Sequence, residues 1–314
     1  WNDSTDELRS DPTFVIDSNN KIILYQPKIS GGAADISTYN IGGGNLANVT
    51  GTGNTGFGKN NLNSLTQGFS NNAFGEDALL SLTTGTFNVA VGSLALKTNL
   101  IGGSNTAIGN SAYRNGTGSN NTSIGAQSLF GATTGGDNVA VGYKAIAVGT
   151  GISFATAVGT SAIEYNIGNG NTAIGYHALR GPSSGTVNGN SNTAVGNGSL
   201  KSLTTSTNST ALGESSGQNV TTGGNNTLIG SGAGSNMTIN NNNTFVGTSA
   251  GSGLNSTSAF NGNGNTFIGK FAGVSTTTAT DCVIIGSNNG STIAALSNHI
   301  IFSDGDGNIR QTFD

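Results

Sequence analysis

Lysine, arginine, aspartate and glutamate together make up only 8% of this 314-residue chain, about a third of the usual share. That deficit excludes several kinds of function. With a net charge of −4 and no cluster of Lys or Arg, the chain lacks the electrostatic footprint that binding to nucleic acid or an anionic membrane requires. Any partner must be recognised through hydrogen bonds and shape. Cys282 is the only cysteine, so an intrachain disulfide and a thiolate metal site are both excluded, and a buried structural thiol is expected. No apolar run approaches the ~20 residues of a membrane-spanning helix, and no signal peptide is read at the N-terminus. The chain starts at Trp1 without Met, as a fragment or processed product would. Its 15 acidic residues, many of them outside the repeat described next, form no convincing carboxylate pair for glycoside hydrolysis.

What the chain has in excess is glycine, 52 residues in all. Low charge with low hydrophobicity also marks disordered segments, but here glycine recurs at a fixed phase, which predicts order. The pentapeptide Asn-Thr-Ala-Ile-Gly and its variants end on Gly58, Gly75, Gly92, Gly109, Gly125, Gly142, Gly159, Gly175, Gly196, Gly213, Gly230, Gly247, Gly269 and Gly286. The steps are mostly 17 residues, with two of 16, one of 21 and one of 22. A fixed period of this kind marks a solenoid whose units bury their apolar faces only by stacking. Seventeen residues suit one turn of a parallel β-coil, expected as two short strands and two bends. At about 4.8 Å per stacked strand, fourteen coils predict a rod roughly 65 to 70 Å long.

Number each motif 1 to 5, with glycine at 5, and continue the count through the coil. Position 4 is apolar in every copy, from Phe57 to Ile285, and mostly β-branched, so it must face a core or another chain. Position 1 is Asn in eleven copies, which predicts a hydrogen-bonded amide ladder along the stack. The invariant glycine predicts a bend with positive φ or a close backbone approach. Position 8 is Ala or Ser in twelve copies, so its neighbour must be close.

Positions 3 and 9 vary together. In the first nine coils position 3 is small and position 9 is large, as in Ala173 with Leu179. From the tenth coil position 9 becomes glycine (Gly217, Gly234, Gly251, Gly273, Gly290), and from the eleventh position 3 becomes bulky (Leu228, Phe245, Phe267, Ile284). Close-packed interiors favour volume-conserving exchange, so both columns are predicted to fill one cavity, with Ala211 and Gly217 at the junction. Turn chemistry fills the connections, and the long steps predict side loops near Arg180 to Asn190 and Gly253 to Asn263, where binding residues are often found.

The pattern Asn-Thr-Ala-Ile-Gly-x-x-Ala, as at Asn171 to Ala178, resembles the coil repeat in the head domains of trimeric autotransporter adhesins. It is closer still to the longer-period version in bacteriophage tail-fibre and related adhesin proteins. The resemblance covers residues 54 to 290 and implies a left-handed parallel β-roll with three chains around a common threefold axis, apolar strands inward. The stretch Asn298 to Arg310 looks like the segment that precedes a C-terminal intramolecular chaperone in such fibres. Independently, a thin coil with a mostly alanine interior and a full Ile/Val/Phe column has surplus apolar surface, which association with further copies would cover.

Other motifs carry little chemistry. Gly51 to Gly56 matches a dinucleotide pattern without the strand-turn-helix context. The two phosphate-loop look-alikes at Gly53 to Lys59 and Gly264 to Lys270 are the repeat itself. Asp304, Asp306 and Asn308 have the spacing that opens a calcium loop but no Glu at its twelfth position, so an Asp-Gly hairpin turn is expected. His177 and His299 lack zinc-ligand context. Sequons such as Asn48-Val49-Thr50 and Asn121-Thr122-Ser123 matter only in a eukaryotic secretory pathway.

The expected fold is therefore all-β, a parallel β-roll or solenoid of about fourteen coils, left-handed and homotrimeric. An N-terminal hairpin region is expected over 1–50, the rod over 51–290, and a C-terminal β segment leading onward over 291–314. The expected role is a non-catalytic structural and adhesive fibre segment without cofactor or metal. It would lie outside the cell on a virion tail fibre or surface appendage, partnered by itself and by a host-surface glycan or protein receptor. Tyr176, His177, Arg180, Tyr143 and Tyr113 are the candidate receptor contacts. The alternative is a single-chain ligand-binding solenoid such as an ice-binding protein, using Thr106, Thr122, Thr172 and Thr193.

Overall fold

The computed structural model describes residues 50–184, 187–253 and 262–313, together with the strand backbones at 15–16, 22–23 and 39–41. The remainder of residues 1–49 lies outside the described residues, as do Gly185 and Thr186 of the first long loop, 254–261 of the second and Asn48-Val49 of the first sequon.

The chain is all-β and almost free of helix. Strands β1 (Val15–Ile16) and β2 (Ile22–Ile23) pair antiparallel, as the expected hairpin requires. Strand β3 (Tyr39–Ile41) opens a parallel ladder that continues from β4 (Thr55–Phe57) to β17 (Val283–Ile285), one three-residue strand per coil. The ladder outruns the fourteen motif copies at both ends. Before them, Tyr39-Asn40-Ile41 pairs with β4. After them, β18 (Ile300–Ser303) pairs with β17 and places Ser303 at the glycine position. Strand β19 (Ile309–Phe313) then turns back antiparallel on β18. Each coil keeps register: Thr172, Ala173 and Ile174 oppose Thr193, Ala194 and Val195 across the 21-residue step.

The strand is short because position 5 ends it. All fourteen glycines have φ between 111° and 139°, a region open to glycine and closed to most other residues. Crowding adds to this, since a Cβ on Gly196 would stand 2.4 Å from the Gly213 carbonyl oxygen. The expected bend is present, but the expected second strand is not. On the far wall positions 7 and 9 both adopt αL geometry, as in His177 (φ 56) and Leu179 (φ 51). Coils are still tied there. The Leu79 N–H donates to the Ala95 carbonyl at 3.0 Å, and the Asp77 N–H donates to the Lys59 carbonyl of the preceding coil at 2.9 Å. Alternating αL residues cannot be pleated, so the wall bonds to its neighbours without being a strand.

The core is built from stacked columns of side chains, one of them three residues beyond position 9 (Leu65, Leu82, Leu203, Val220, Met237). Position 3, position 8 alanines and position 9 are fully buried, whereas position 4 points outward. Nine consecutive position-9 residues, Ile146 and Ile163 among them, hold φ between 46° and 53°, a conformation that costs an L-residue roughly 1–2 kcal/mol. Their complete burial offsets it. From the tenth coil glycine relieves that cost, and the position-3 side chain occupies the vacated volume. A Cβ on Gly251 would lie 2.2 Å from Phe245 Cε2, one on Gly273 2.3 Å from Phe267 Cδ2, and one on Gly234 2.8 Å from Leu228 Cδ2. At the junction, Gly217 is reached from both sides, by Leu228 at 2.7 Å and Leu200 at 2.9 Å. The exchange of volume is thus a real change of core, with Phe245 and Phe267 stacked at 5.0 Å in the later half.

The asparagine ladder is also present. Where two asparagines follow one another, the amide nitrogen donates to the preceding coil's side-chain oxygen (Asn71 to Asn54, 3.0 Å; Asn138 to Asn121, 2.9 Å), and that oxygen also accepts the next backbone N–H, as Asn71 N to Asn54 Oδ1 at 3.0 Å. Ala155 and Ser209 interrupt the amide pairing, although the Ser209 hydroxyl still accepts the Asn226 N–H at 3.3 Å. Cys282 closes it, buried, with its backbone N–H donating to Asn265 Oδ1 at 3.0 Å.

Candidate functional site

Two surfaces distinguish themselves from the rest of the coil. The first is the position-4 column. Alternation along a strand puts position 3 inside and positions 2 and 4 outside, so the most apolar column of the repeat is left facing solvent. Phe57 is 55% exposed, Ile174 42%, Leu212 46% and Ile285 40%, while Val141, Val195, Ile229 and Val246 are half-buried. The stripe runs unbroken from the first coil to the last and continues at Phe302. Partly exposed threonines of position 2, such as Thr106, Thr122, Thr172 and Thr193, flank it on the same face. Contiguous apolar surface of this length is uncommon on a monomer.

The second surface lies past the glycine corner. Position 6 is exposed in most coils, and coils six to nine carry Tyr143, Thr160, Tyr176 and Asn197 there. Backbone bonds fix their stacking: Ser161 N–H donates to the Tyr143 carbonyl at 2.9 Å and His177 N–H to the Thr160 carbonyl at 3.1 Å. Tyr176 and His177 stack with ring centroids 3.7 Å apart and planes at 27°. Lys144 reaches over the Tyr143 ring at 5.4 Å. Arg180 donates through Nε to Glu164 at 2.8 Å and lies over the Tyr165 ring at 5.2 Å.

The charges of this cluster are coupled. Partial burial lowers the His177 pKa, and the nearby Arg180 and Lys201 lower it further against the opposing pull of Glu164, so the imidazole is neutral at pH 7. Burial acts to raise the Glu164 carboxyl, but hydrogen bonds from Arg180, Ser161 and Tyr165 outweigh it and hold it below its ordinary value. The bond to Glu164 in turn raises the Arg180 guanidinium.

Of the five residues expected to contact a receptor, the structure gathers Tyr176, His177 and Arg180 on one coil and Tyr143 two coils away. Tyr113 is corrected. It belongs to position 9 and is fully buried, its hydroxyl donating to the Gly135 carbonyl at 3.2 Å and accepting from Asn121 Nδ2 at 2.9 Å. Burial pushes its phenol up to about 12. Val187, in the first long step, is buried against Gly181.

A second polar ladder was not anticipated. Two residues before the motif Asn, side chains of one coil accept backbone N–H groups of the preceding one: Ser153 N to Asn169 Oδ1 at 2.8 Å, and Asn169 N to Asn190 Oδ1 at 2.7 Å. The signal was a column of Ser, Asn, Thr and Gly, broken only by Phe69, and readable only once the turn geometry is known. The Asp304 carboxylate is consumed by its own turn, accepting from Asp306 N, Asn308 N, Asn308 Nδ2 and Arg310. The Asn308 side-chain bond leads in lowering its pKa to about 2. Among the described residues no group of three or more His, Cys, Asp or Glu is placed to hold a metal ion, and no helix is long and apolar enough to cross a membrane.

No family model, no curated protein and no solved structure matches the chain.

Proposed function

We propose that this chain is a structural and adhesive fibre segment, a left-handed β-roll that assembles as a homotrimer in a tail fibre or comparable surface appendage and takes part in receptor attachment without catalysis. The observation that carries this reading is the exposed apolar stripe of position 4, continuous along the coil stack. Burying an apolar side chain that is about 40% exposed stabilises by on the order of 1 kcal/mol, so the ten exposed members of the stripe supply on the order of 10 kcal/mol per protomer. Three stripes meeting on a threefold axis would bury them together. The absence of basic clusters and the low charge fit a surface that associates through shape. Multi-angle light scattering at micromolar concentration tests it, three chain masses being expected; a monodisperse monomer refutes it.

One observation favours the alternative of a single-chain ligand-binding solenoid such as an ice-binding protein. The position-2 threonines repeat in register beside the stripe on one regular sheet face. A thermal-hysteresis measurement decides between the two, since a trimer that closes this face shows no activity.

A further inference from the structure

Position 6 is exposed in twelve of the fourteen motif copies and half-buried at Ser93 and Ser287, and it carries an aromatic ring only at Tyr143 and Tyr176. The two rings, 49% and 52% exposed, sit in one column two coil steps apart, about 9.6 Å along the stack. Thr160 stands between them and Asn197 beyond, both exposed, so the strip alternates a flat apolar face with a hydrogen-bonding group. The platforms are pre-organised. Tyr176 is braced by the stacked His177 ring, whose backbone is pinned to Thr160, and Tyr143 lies beneath the Lys144 ammonium. Glu164 neutralises Arg180, whereas Lys144 and Lys201 have no carboxylate partner among the described residues, so the strip carries excess positive charge within an acidic chain.

We infer that coils six to nine form a binding site for a linear oligosaccharide bearing carboxylate groups, laid along the stack axis with Tyr143 and Tyr176 beneath alternate sugar rings. A sugar ring offers an apolar C–H face to stack and hydroxyls at its rim, which is the pairing this strip provides. An extended ligand fits a column that repeats at the coil spacing, and the uncancelled lysines favour acidic units. A protein partner would instead need a contiguous apolar anchor in a desolvated pocket, and Thr160 divides these rings. The inference builds on the adhesive reading by naming what the segment adheres to.

The test uses an array of linear hexasaccharides, one set neutral and one built of uronic-acid units, probed with the full chain. Asn occupies position 6 at Asn110 and Asn197, so Tyr143→Asn and Tyr176→Asn leave the coil intact. Each is expected to weaken binding to the uronate set by about 10-fold and the pair by about 100-fold, while Tyr176→Phe retains it. Lys144→Gln with Lys201→Gln should weaken binding to the uronate set and flatten its salt dependence. Binding to neither set overturns the inference, as does binding that survives the double Asn variant or is confined to neutral glycans. Light scattering on the same samples separates the two readings. A trimer that binds no hexasaccharide refutes this site alone, and a monomer that binds refutes the fibre.

Discussion

The exchange of volume between positions 3 and 9 can be tested by running it backwards in one coil. Phe245→Ala removes a fully buried ring and its 5.0 Å stack on Phe267, a loss of about 3 to 5 kcal/mol. Gly251→Leu alone drives a Cβ to within 2.2 Å of that ring and places a side chain at φ 60. Overpacking and αL strain together cost about 2 to 5 kcal/mol. If the sites were independent the double variant would lose roughly 5 to 10 kcal/mol. The structure predicts otherwise, because Ala at position 3 with Leu at position 9 is the arrangement of the earlier coils, where Leu79 and Leu179 hold φ 51 without disrupting the stack. The double variant should recover at least 2 to 3 kcal/mol of the summed loss. Calorimetric melting of the four proteins reads it as several degrees of regained Tm, at about 2 to 4 °C per kcal/mol for a large domain. Additive losses, or a double variant worse than their sum, would refute the shared cavity.

Three further outcomes are expected. Tyr113 keeps its proton in the fold to about pH 12, against 10.0 for an ordinary phenol, so stability is intact below pH 10 and falls by about 2 to 3 kcal/mol as pH rises from 10 to 12; Tyr113→Phe should abolish that alkaline loss in a pH-dependent melt, and an unchanged profile would place the titration elsewhere. Asn105→Ala leaves the Asn121 N–H, bonded at 2.9 Å in the native chain, without its acceptor and should cost about 1 to 3 kcal/mol by chemical denaturation; no measurable change would show the ladder to be decorative. Ile108→Asp with Ile124→Asp sets two charges in the stripe and should reduce the scattering mass to that of one chain with the far-ultraviolet circular dichroism preserved, whereas an unchanged mass would remove position 4 from the interface.

What could be read from residues was whatever repeats as a side-chain preference. The glycine bend, the asparagine ladder and the paired columns 3 and 9 each follow from a physical requirement that one or two residue types meet, and each is present in the fold. Backbone conformation was less legible. Leu and Ile are poor αL residues, so nothing in Leu79 or Ile146 announces that the far wall is a run of αL turns, and a second strand was the natural expectation. The coil after the last motif copy was hidden because Ser303 replaces glycine and His299 replaces asparagine, and the one before the first because it keeps Ile41-Gly42 but has Thr38 in place of asparagine. Tyr113 shows the opposite error. Its residue type suggested a surface contact, while its column, otherwise filled by Leu and Ile in the first nine coils, pointed inward. Tyr143 and Tyr176 share position 6 two copies apart in the sequence, but their exposure and the stacking of Tyr176 on His177 emerged only from the fold.

Register is indifferent to how long a coil is. Ile174 meets Val195 across 21 residues and Val246 meets Ile268 across 22, as squarely as Val195 meets Leu212 across 17. The added residues of the longer coils therefore leave the strand pairing untouched. The stack behaves as a ruler graduated in whole coils. Its reach changes only by inserting or deleting complete coils, about 4.8 Å at a time whatever number of residues each coil contains.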